Sequence, residues 1–316
     1  MKAAVLHVPG EAPRFEEFPE PVPAQDEMLV QVKAAPLTNL SKMRANAAHT
    51  FPVVCGVNGV ALLEDGTRVY CGGCRGPYGM MAERSVVTLA WCLPIPDEVD
   101  DLTAAALPNA ALASWLALVF RARLRPGETV LILGATGVSG RLAIQVARQL
   151  GAGRVVATGR NEGSFPSLLE LGADAVISLG QTDQALTEAF AHEAARGPFD
   201  IILDFLWGHP TEVLMKALNR QEVMARASRI RFVSIGEMAG STASIPVASL
   251  HSSGLEISGS GGGSLSHQEL LEIFPRMFAL AAQGKLRIDI EALPLAEVEN
   301  AWSRQDTQGK RLVFLP

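Results

Sequence analysis

The run Gly134-Ala135-Thr136-Gly137-Val138-Ser139-Gly140 carries the clearest chemical pattern in the chain. Glycines let a backbone turn tightly and approach a bulky anion, because no Cβ stands in the way. Beyond the turn, Leu142, Ala143, Val146, Ala147 and Leu150 recur at helical spacing, which predicts a helix from about Ser139 to Leu150. A helix start offers free N–H groups and the positive end of its dipole, a combination that binds phosphate. Thr129–Leu133 precedes the turn as a compact apolar strand, so the segment reads as the strand–loop–helix that holds a dinucleotide pyrophosphate. In a chain with 29 glycines the loop alone would say little, and its place between strand and helix gives it meaning.

The strand after that helix selects the dinucleotide. NAD-binding domains usually end it with an Asp or Glu that accepts bonds from the ribose 2′-hydroxyl. Here Arg154–Thr158 runs into Gly159-Arg160-Asn161, with no carboxylate at the tip. A guanidinium pairs with a 2′-phosphate, whereas a carboxylate repels it. The expected cofactor is NADPH, with NADH the weaker reading that nearby Glu162 keeps open. Cofactor contacts are expected at Gly134, Ala135, Thr136, Gly137, Val138, Gly159 and Arg160. Strand ends line the crevice of such a sheet, which adds Leu203–Phe205, Ile235–Glu237 and Gly259–Gly261, and in particular Phe205, Ile235, Gly236 and Gly259. Trp207 is a further aromatic at that rim, and the run Gly259–Ser264 reads as a wrap around the cofactor, a hinge or a plain linker.

These residues need a scaffold. From Gly127 onward strands and helices alternate: strands at Arg154–Thr158, Ala175–Ser178, Phe199–Asp204, Ile230–Ile235 and Leu255–Ser258, helices near Ser167–Leu171, Gln184–Ala195 and Glu212–Leu218. Such alternation predicts an α/β fold with a doubly wound parallel sheet. The segment before Leu102 reads as β structure, with runs at Glu27–Ala34 and Arg68–Tyr70 between Pro- and Gly-rich turns and few strong helical patterns. The tail holds an amphipathic helix, Gln268–Gln283, and a last strand, Arg311–Leu315, which suit a return to the first domain.

The chain has 316 residues, 48% of them hydrophobic and 19% charged, with a formal charge of -6. That length suggests two domains, and the lack of any Lys/Arg run argues against nucleic acid or an anionic membrane as partner. Met1–His7 reads as a short strand without a signal peptide's apolar core. The apolar stretch Ala104–Phe120 is interrupted by Pro108, Asn109 and Ser114 and reads as a buried helix, so a soluble cytoplasmic protein is expected. Of the four cysteines, Cys71 and Cys74 form a Cys-Gly-Gly-Cys pair after a strand, while Cys55 and Cys92 stand apart in sequence. Without a second pair at zinc spacing, free thiols in a reducing compartment are expected.

Several segments together resemble the zinc-free quinone oxidoreductase branch of the medium-chain dehydrogenase/reductase superfamily. They are Met1–Val5, Asp26–Ala35, Leu133–Gly140, Leu171–Ile177 and Gly309–Val313, in the same order and spacing. The resemblance implies a Rossmann domain (118–261) inserted into a GroES-like β-rich catalytic domain (1–117 plus 262–316), with the cofactor between them. It also implies a homodimer paired through the last Rossmann strand. Zinc-dependent relatives carry a Cys where this chain has Thr38, and a Gly-His-Glu triplet where it has Gly56-Val57-Asn58, so no metal site is expected.

The same resemblance puts Thr38 at the cofactor and Asn39 beside the nicotinamide and acceptor; the tyrosine of relatives falls at Met43 here. Asn39 and Tyr78 are the candidate catalytic residues, with Lys42, Arg44 and His49 as further candidates at the mouth of the site. The implied reaction is hydride transfer from NADPH to a small electrophilic acceptor, a quinone or an α,β-unsaturated carbonyl, without metal assistance. Two alternatives stand beside it: an enoyl-thioester reductase, to which Arg121, Arg123 and Arg125 would offer a basic groove, and a non-catalytic NADPH-binding sensor or structural protein.

Overall fold

Thr129–Leu133 is buried along its whole length, as a central strand flanked on both faces must be. In the computed structural model, which describes residues 1–218, 229–261, 267–304 and 307–316, this strand sits third in a sheet of six. The order is Ala175–Ser178, Arg154–Gly159, Thr129–Leu133, Ile201–Asp204, Ile230–Ser234, Leu255–Gly259, with every pairing parallel. Numbered along the chain this is 3-2-1-4-5-6, the doubly wound dinucleotide-binding order. Helices Val138–Gln149, Phe165–Glu170, Asp183–Arg196 and Gly208–Leu218 connect the strands. One core cluster joins Leu131, Val156, Ile202 and Phe232 of the sheet to Leu186, Phe190, Val213 and Leu214 of two helices.

The chain divides into two units, 109–266 holding this sheet, and 1–108 with 267–316. The boundaries expected from the sequence were 117/118 and 261/262. The first observed division falls inside the helix Asp101–Leu116, at Pro108. An apolar helix with no glycine break gives the sequence nothing to mark a boundary. This helix and the turn after it, Asp101–Arg121, are long and apolar enough to cross a membrane, yet 67% of its most apolar window is buried. Ala104 to Leu107 have no exposed surface at all, so the segment is a core helix.

The other unit is β-rich. Its longest path runs Ile290–Pro294, Arg311–Leu315, Glu27–Pro36, Asn58–Leu62, Arg68–Gly72, Leu93–Pro94, with Arg84–Thr88 also on Glu27–Pro36. The tail thus pairs with the N-terminal strands: Val313 lies opposite Pro36 and Phe314 opposite Ala35. A smaller sheet joins Arg14–Glu17, Lys2–Leu6 and Val53–Val54. Helix Asn39–Asn46 lies in this segment, where few strong helical patterns were expected. It is short and polar, so no apolar periodicity announces it, and Thr38 caps its start instead. Residues 262–264 of the Gly-rich run lie outside the described residues.

Phe232 is fully buried and packs edge-on against Trp207, with ring centroids 6.0 Å apart. Phe232→Ala should cost about 3–5 kcal/mol of stability, read from urea denaturation, and Phe232→Leu clearly less.

Candidate functional site

The glycine-rich turn is shaped by what each missing Cβ would meet. Gly134 has a φ of +90°, and a Cβ there would lie 2.9 Å from the Leu206 side chain. At Gly140 a Cβ would lie 2.2 Å from the Gly134 carbonyl oxygen, so the helix presses directly on the loop. Gly159, at the tip of the neighbouring strand, leaves room for the Thr136 methyl, 2.3 Å from where its Cβ would stand. Thr158 clamps the loop from the same strand. Its hydroxyl accepts from Gly134 N–H at 3.1 Å and its carbonyl from Ala135 N–H at 2.7 Å.

Gly137 is different. It is exposed, and its Cβ would meet only the Gly134 carbonyl oxygen, at 3.9 Å. No side chain caps the helix there, and the first bond back to the loop is Arg141 N–H to Gly137 C=O at 2.9 Å. The N–H groups of Val138, Ser139 and Gly140 therefore precede the helical ladder of this 12-residue helix, the arrangement that can receive an anion.

Arg160 is exposed just past the second strand and makes no hydrogen bond or ion pair with any described residue. Glu162, the carboxylate that kept NADH open, accepts from the Ser178 hydroxyl at 2.7 Å. Among the described residues the cation has no partner, and the nearby carboxylate already has a donor.

A cavity of about 650 Å³ opens at the carboxyl ends of the last three strands. Trp207, Ser234, Ile235, Gly236, Glu237, Ser241, Gly259, Ser260 and Gly261 line it. Ile235, Gly236 and Gly259 thus stand where strand-end reasoning put them. Phe205 does not line it: it is only 9% exposed, and its neighbour Trp207 forms the wall instead. Strand alternation and the turn after Asp204 decide which aromatic faces out, and neither is legible from aromatic character alone.

Asp204, whose role the sequence did not reveal, builds this wall. It is fully buried, and its carboxylate accepts from Leu206 and Trp207 N–H at 2.8 and 2.9 Å and from the Thr211 hydroxyl at 2.6 Å. Its carbonyl accepts from Ile235 and Gly236 N–H at 2.7 and 3.2 Å. Burial pushes its pKa up despite those bonds. The turn it holds places Trp207 at a φ of +54°, an uncommon conformation for a bulky residue. An Asp ending an apolar strand, Ile-Ile-Leu-Asp, was the available signal.

The remaining candidates lie in the β-rich unit. Thr38 is 2% exposed and its hydroxyl is committed to Ser41, accepting from the Ser41 N–H at 2.9 Å and contacting its hydroxyl at 2.9 Å. Asn39 follows as the first helical residue and is exposed. Tyr78 packs in a different cluster, edge-on to Phe18, and its hydroxyl donates to the Glu20 carbonyl at 3.4 Å. Lys42 donates to the Trp302 carbonyl over the Trp302 ring, and burial lowers its pKa. Arg44, His49 and Met43 are exposed. Among the described residues no group of three His, Cys, Asp or Glu side chains is placed to hold a metal.

A family model described as zinc-binding dehydrogenase matches residues 139–281. A protein named probable NADPH-dependent quinone reductase tdiC, from Emericella nidulans, is 27% identical over 96% of both chains. Quinone oxidoreductase-like protein 2 of Bos taurus is 28% identical over 81% of this chain and 72% of its own. The solved quinone oxidoreductase of Thermus thermophilus, described with its NADPH complex, superposes with a TM-score of 0.80 at 27% identity over the full length of both chains. The strand order, the phosphate loop and these likenesses define an oxidoreductase of the medium-chain dehydrogenase/reductase superfamily, and the chain belongs to its quinone oxidoreductase branch.

The glycines make separable predictions. Gly140→Ala should disturb the fold, lowering the melting temperature, because backbone must move. Gly137→Ala should leave melting unchanged yet weaken dinucleotide binding about tenfold or more by fluorescence titration, since its Cβ would occupy the anion's approach.

Proposed function

We propose that the chain transfers a hydride from NADPH to a quinone or an α,β-unsaturated carbonyl, without a metal ion. The observation that carries the cofactor choice is Arg160, an exposed cation with no described partner at the tip of the second strand, where NAD-binding domains keep a carboxylate. The relatives whose names or descriptions mention NADPH support the same reading. In it, Val138, Ser139 and Gly140 N–H hold the pyrophosphate, Arg160 pairs with the 2′-phosphate, and the cavity walled by Trp207, Ile235 and Gly236 takes the rest of the nucleotide.

The residues at the zinc-ligand positions do not suit a catalytic zinc. Thr38 offers a hydroxyl already bonded to Ser41, Val57 offers no donor, and Asn58 offers a neutral amide in place of a carboxylate. The matched zinc-binding dehydrogenase region, 139–281, does not include these positions. When bound, NADPH supplies the hydride, and an electron-poor acceptor takes it without the alkoxide stabilisation that alcohol oxidation needs. Asn39 orients the acceptor carbonyl or the carboxamide. The Tyr78 hydroxyl already donates to Glu20, so the proton that completes reduction comes from solvent.

Arg160→Glu should weaken NADPH binding about 100-fold and change NADH binding only a few-fold, measured by calorimetry. Equal or tighter NADH binding by the unaltered protein would overturn the cofactor choice. An NADPH-oxidation screen over quinones, enones, aldehydes and enoyl thioesters tests the acceptor. Turnover confined to thioesters, or no turnover with stoichiometric NADPH binding, would replace this reading.

The same reading includes a homodimer through Leu255–Gly259, an edge strand whose Glu256, Ile257, Ser258 and Gly259 are all exposed. Such an edge pairs readily with a second copy. Ile257→Pro should shift sedimentation from dimer to monomer, and a monomeric wild type would reject the pairing.

A further inference from the structure

Cys92 stands apart in the sequence but not in the fold. Strands Arg68–Gly72 and Leu93–Pro94 pair antiparallel, with Val69 opposite Pro94 and Tyr70 opposite Leu93. The next step of that register brings Cys71 opposite Cys92. Ile95 N–H donates to Arg68 C=O at 3.3 Å, so Arg68 and Ile95 lie at a hydrogen-bonded step. The steps alternate, which makes Val69 and Pro94 a non-hydrogen-bonded pair, as a proline without an N–H requires. Tyr70 with Leu93 is then hydrogen-bonded, and Cys71 with Cys92 is not. Non-hydrogen-bonded pairs hold their Cα atoms about 4.5 Å apart with side chains closest, inside the range a disulfide spans.

We propose that Cys71 and Cys92 form a reversible cross-strand disulfide, with Cys92 as the thiol that reacts first with a peroxide and Cys71 as the one that resolves it. Two further observations assign these roles. Cys71 is 1% exposed and Cys92 is half-buried, so of these two Cys92 is the one open to an oxidant. The two neighbouring sulfurs shift each other, lowering the Cys92 pKa and, with burial, raising that of Cys71, and the Cys92 thiol donates to the Thr88 carbonyl at 3.7 Å. The thiolate, which is the nucleophile, therefore forms on the accessible sulfur. The other two cysteines differ: burial pushes Cys55 up to about 12 and Cys74 up to about 11. Cys74 instead accepts from the Ser85 hydroxyl at 3.5 Å.

The chemistry balances with the peroxide as oxidant. Cys92 thiolate attacks one peroxide oxygen, the O–O bond breaks, and Cys92 sulfenic acid and hydroxide (or alkoxide) result. Cys71 sulfur then attacks Cys92 sulfur, displacing hydroxide, which leaves as water with the Cys71 proton. Two thiols are oxidised by two electrons and the peroxide is reduced. Thiol exchange reverses the bond.

Trypsin makes the pair readable, because Cys71 and Cys74 fall in peptide 69–75 and Cys92 in peptide 85–121. The full-length protein is treated with hydrogen peroxide, its remaining thiols are alkylated, and unreduced peptides are mapped by mass spectrometry. The expected result is peptide 69–75 joined to 85–121 through Cys71, assigned by fragmentation and reversed by dithiothreitol. Cys74→Ser should keep the link and Cys71→Ser should lose it. The fragmentation map of the wild type decides the matter even where a variant fails to fold. Closure of 69–75 on itself, a link through Cys74, conversion of Cys92 to an unlinked sulfinic acid, or unmodified Cys92 would each overturn the proposal.

Discussion

The dinucleotide-binding unit depends on one close approach, that of the helix at Gly140 to the carbonyl of Gly134. Any side chain at Gly140 would stand where that carbonyl stands, so the helix axis could not aim its first N–H groups at the turn. Everything around the turn agrees with this contact. Gly134 adopts the positive φ that lets the chain leave the strand, and Gly159 yields space to Thr136. Thr158 then ties two of the loop's N–H groups to the adjacent strand. A phosphate-binding loop needs free N–H groups held still, and this arrangement supplies them without a charged side chain.

A second constraint shapes the far side of the sheet. Asp204 is a buried carboxylate that satisfies donors from its own turn, from Thr211 and, through its carbonyl, from the adjacent strand end. A carboxylate without cationic partner is costly to bury, and the raised pKa records that cost. The hydrogen bonds offset it and hold Trp207 in its strained conformation at the cavity wall. The turn is thus stiff where the ligand side begins, behaviour expected of a preformed site.

Much of this was legible beforehand because local rules govern it. The parallel sheet followed from alternation of strand and helix patterns, and all six of its strands lie within two residues of their expected limits. The tight turn between strand and helix followed from glycine spacing, and the place of Ile235, Gly236 and Gly259 at the strand-end cavity followed from topology. The helix Asn39–Asn46 was not legible, since a capped polar octapeptide has no apolar face to betray it. The cap itself was equally hidden: the Thr38 hydroxyl, which starts this helix by accepting from Ser41 N–H, stands in the sequence without a pattern that marks it. Phe205 and Trp207 were interchangeable as sequence letters; only the turn built on Asp204 distinguishes wall from core.

The sequence by itself determined the strand–loop–helix, the absence of a carboxylate after Gly159, and the lack of thiolate and imidazole at the zinc-ligand positions. These are matters of residue type at a fixed offset, and no packing can alter them. Tertiary structure alone decided which charges remain available and which groups meet. Glu162 accepts from the Ser178 hydroxyl, while Arg160 has no partner among the described residues. Cys92 lies beside Cys71 across a ladder end although 21 positions separate them, because antiparallel register ignores sequence distance.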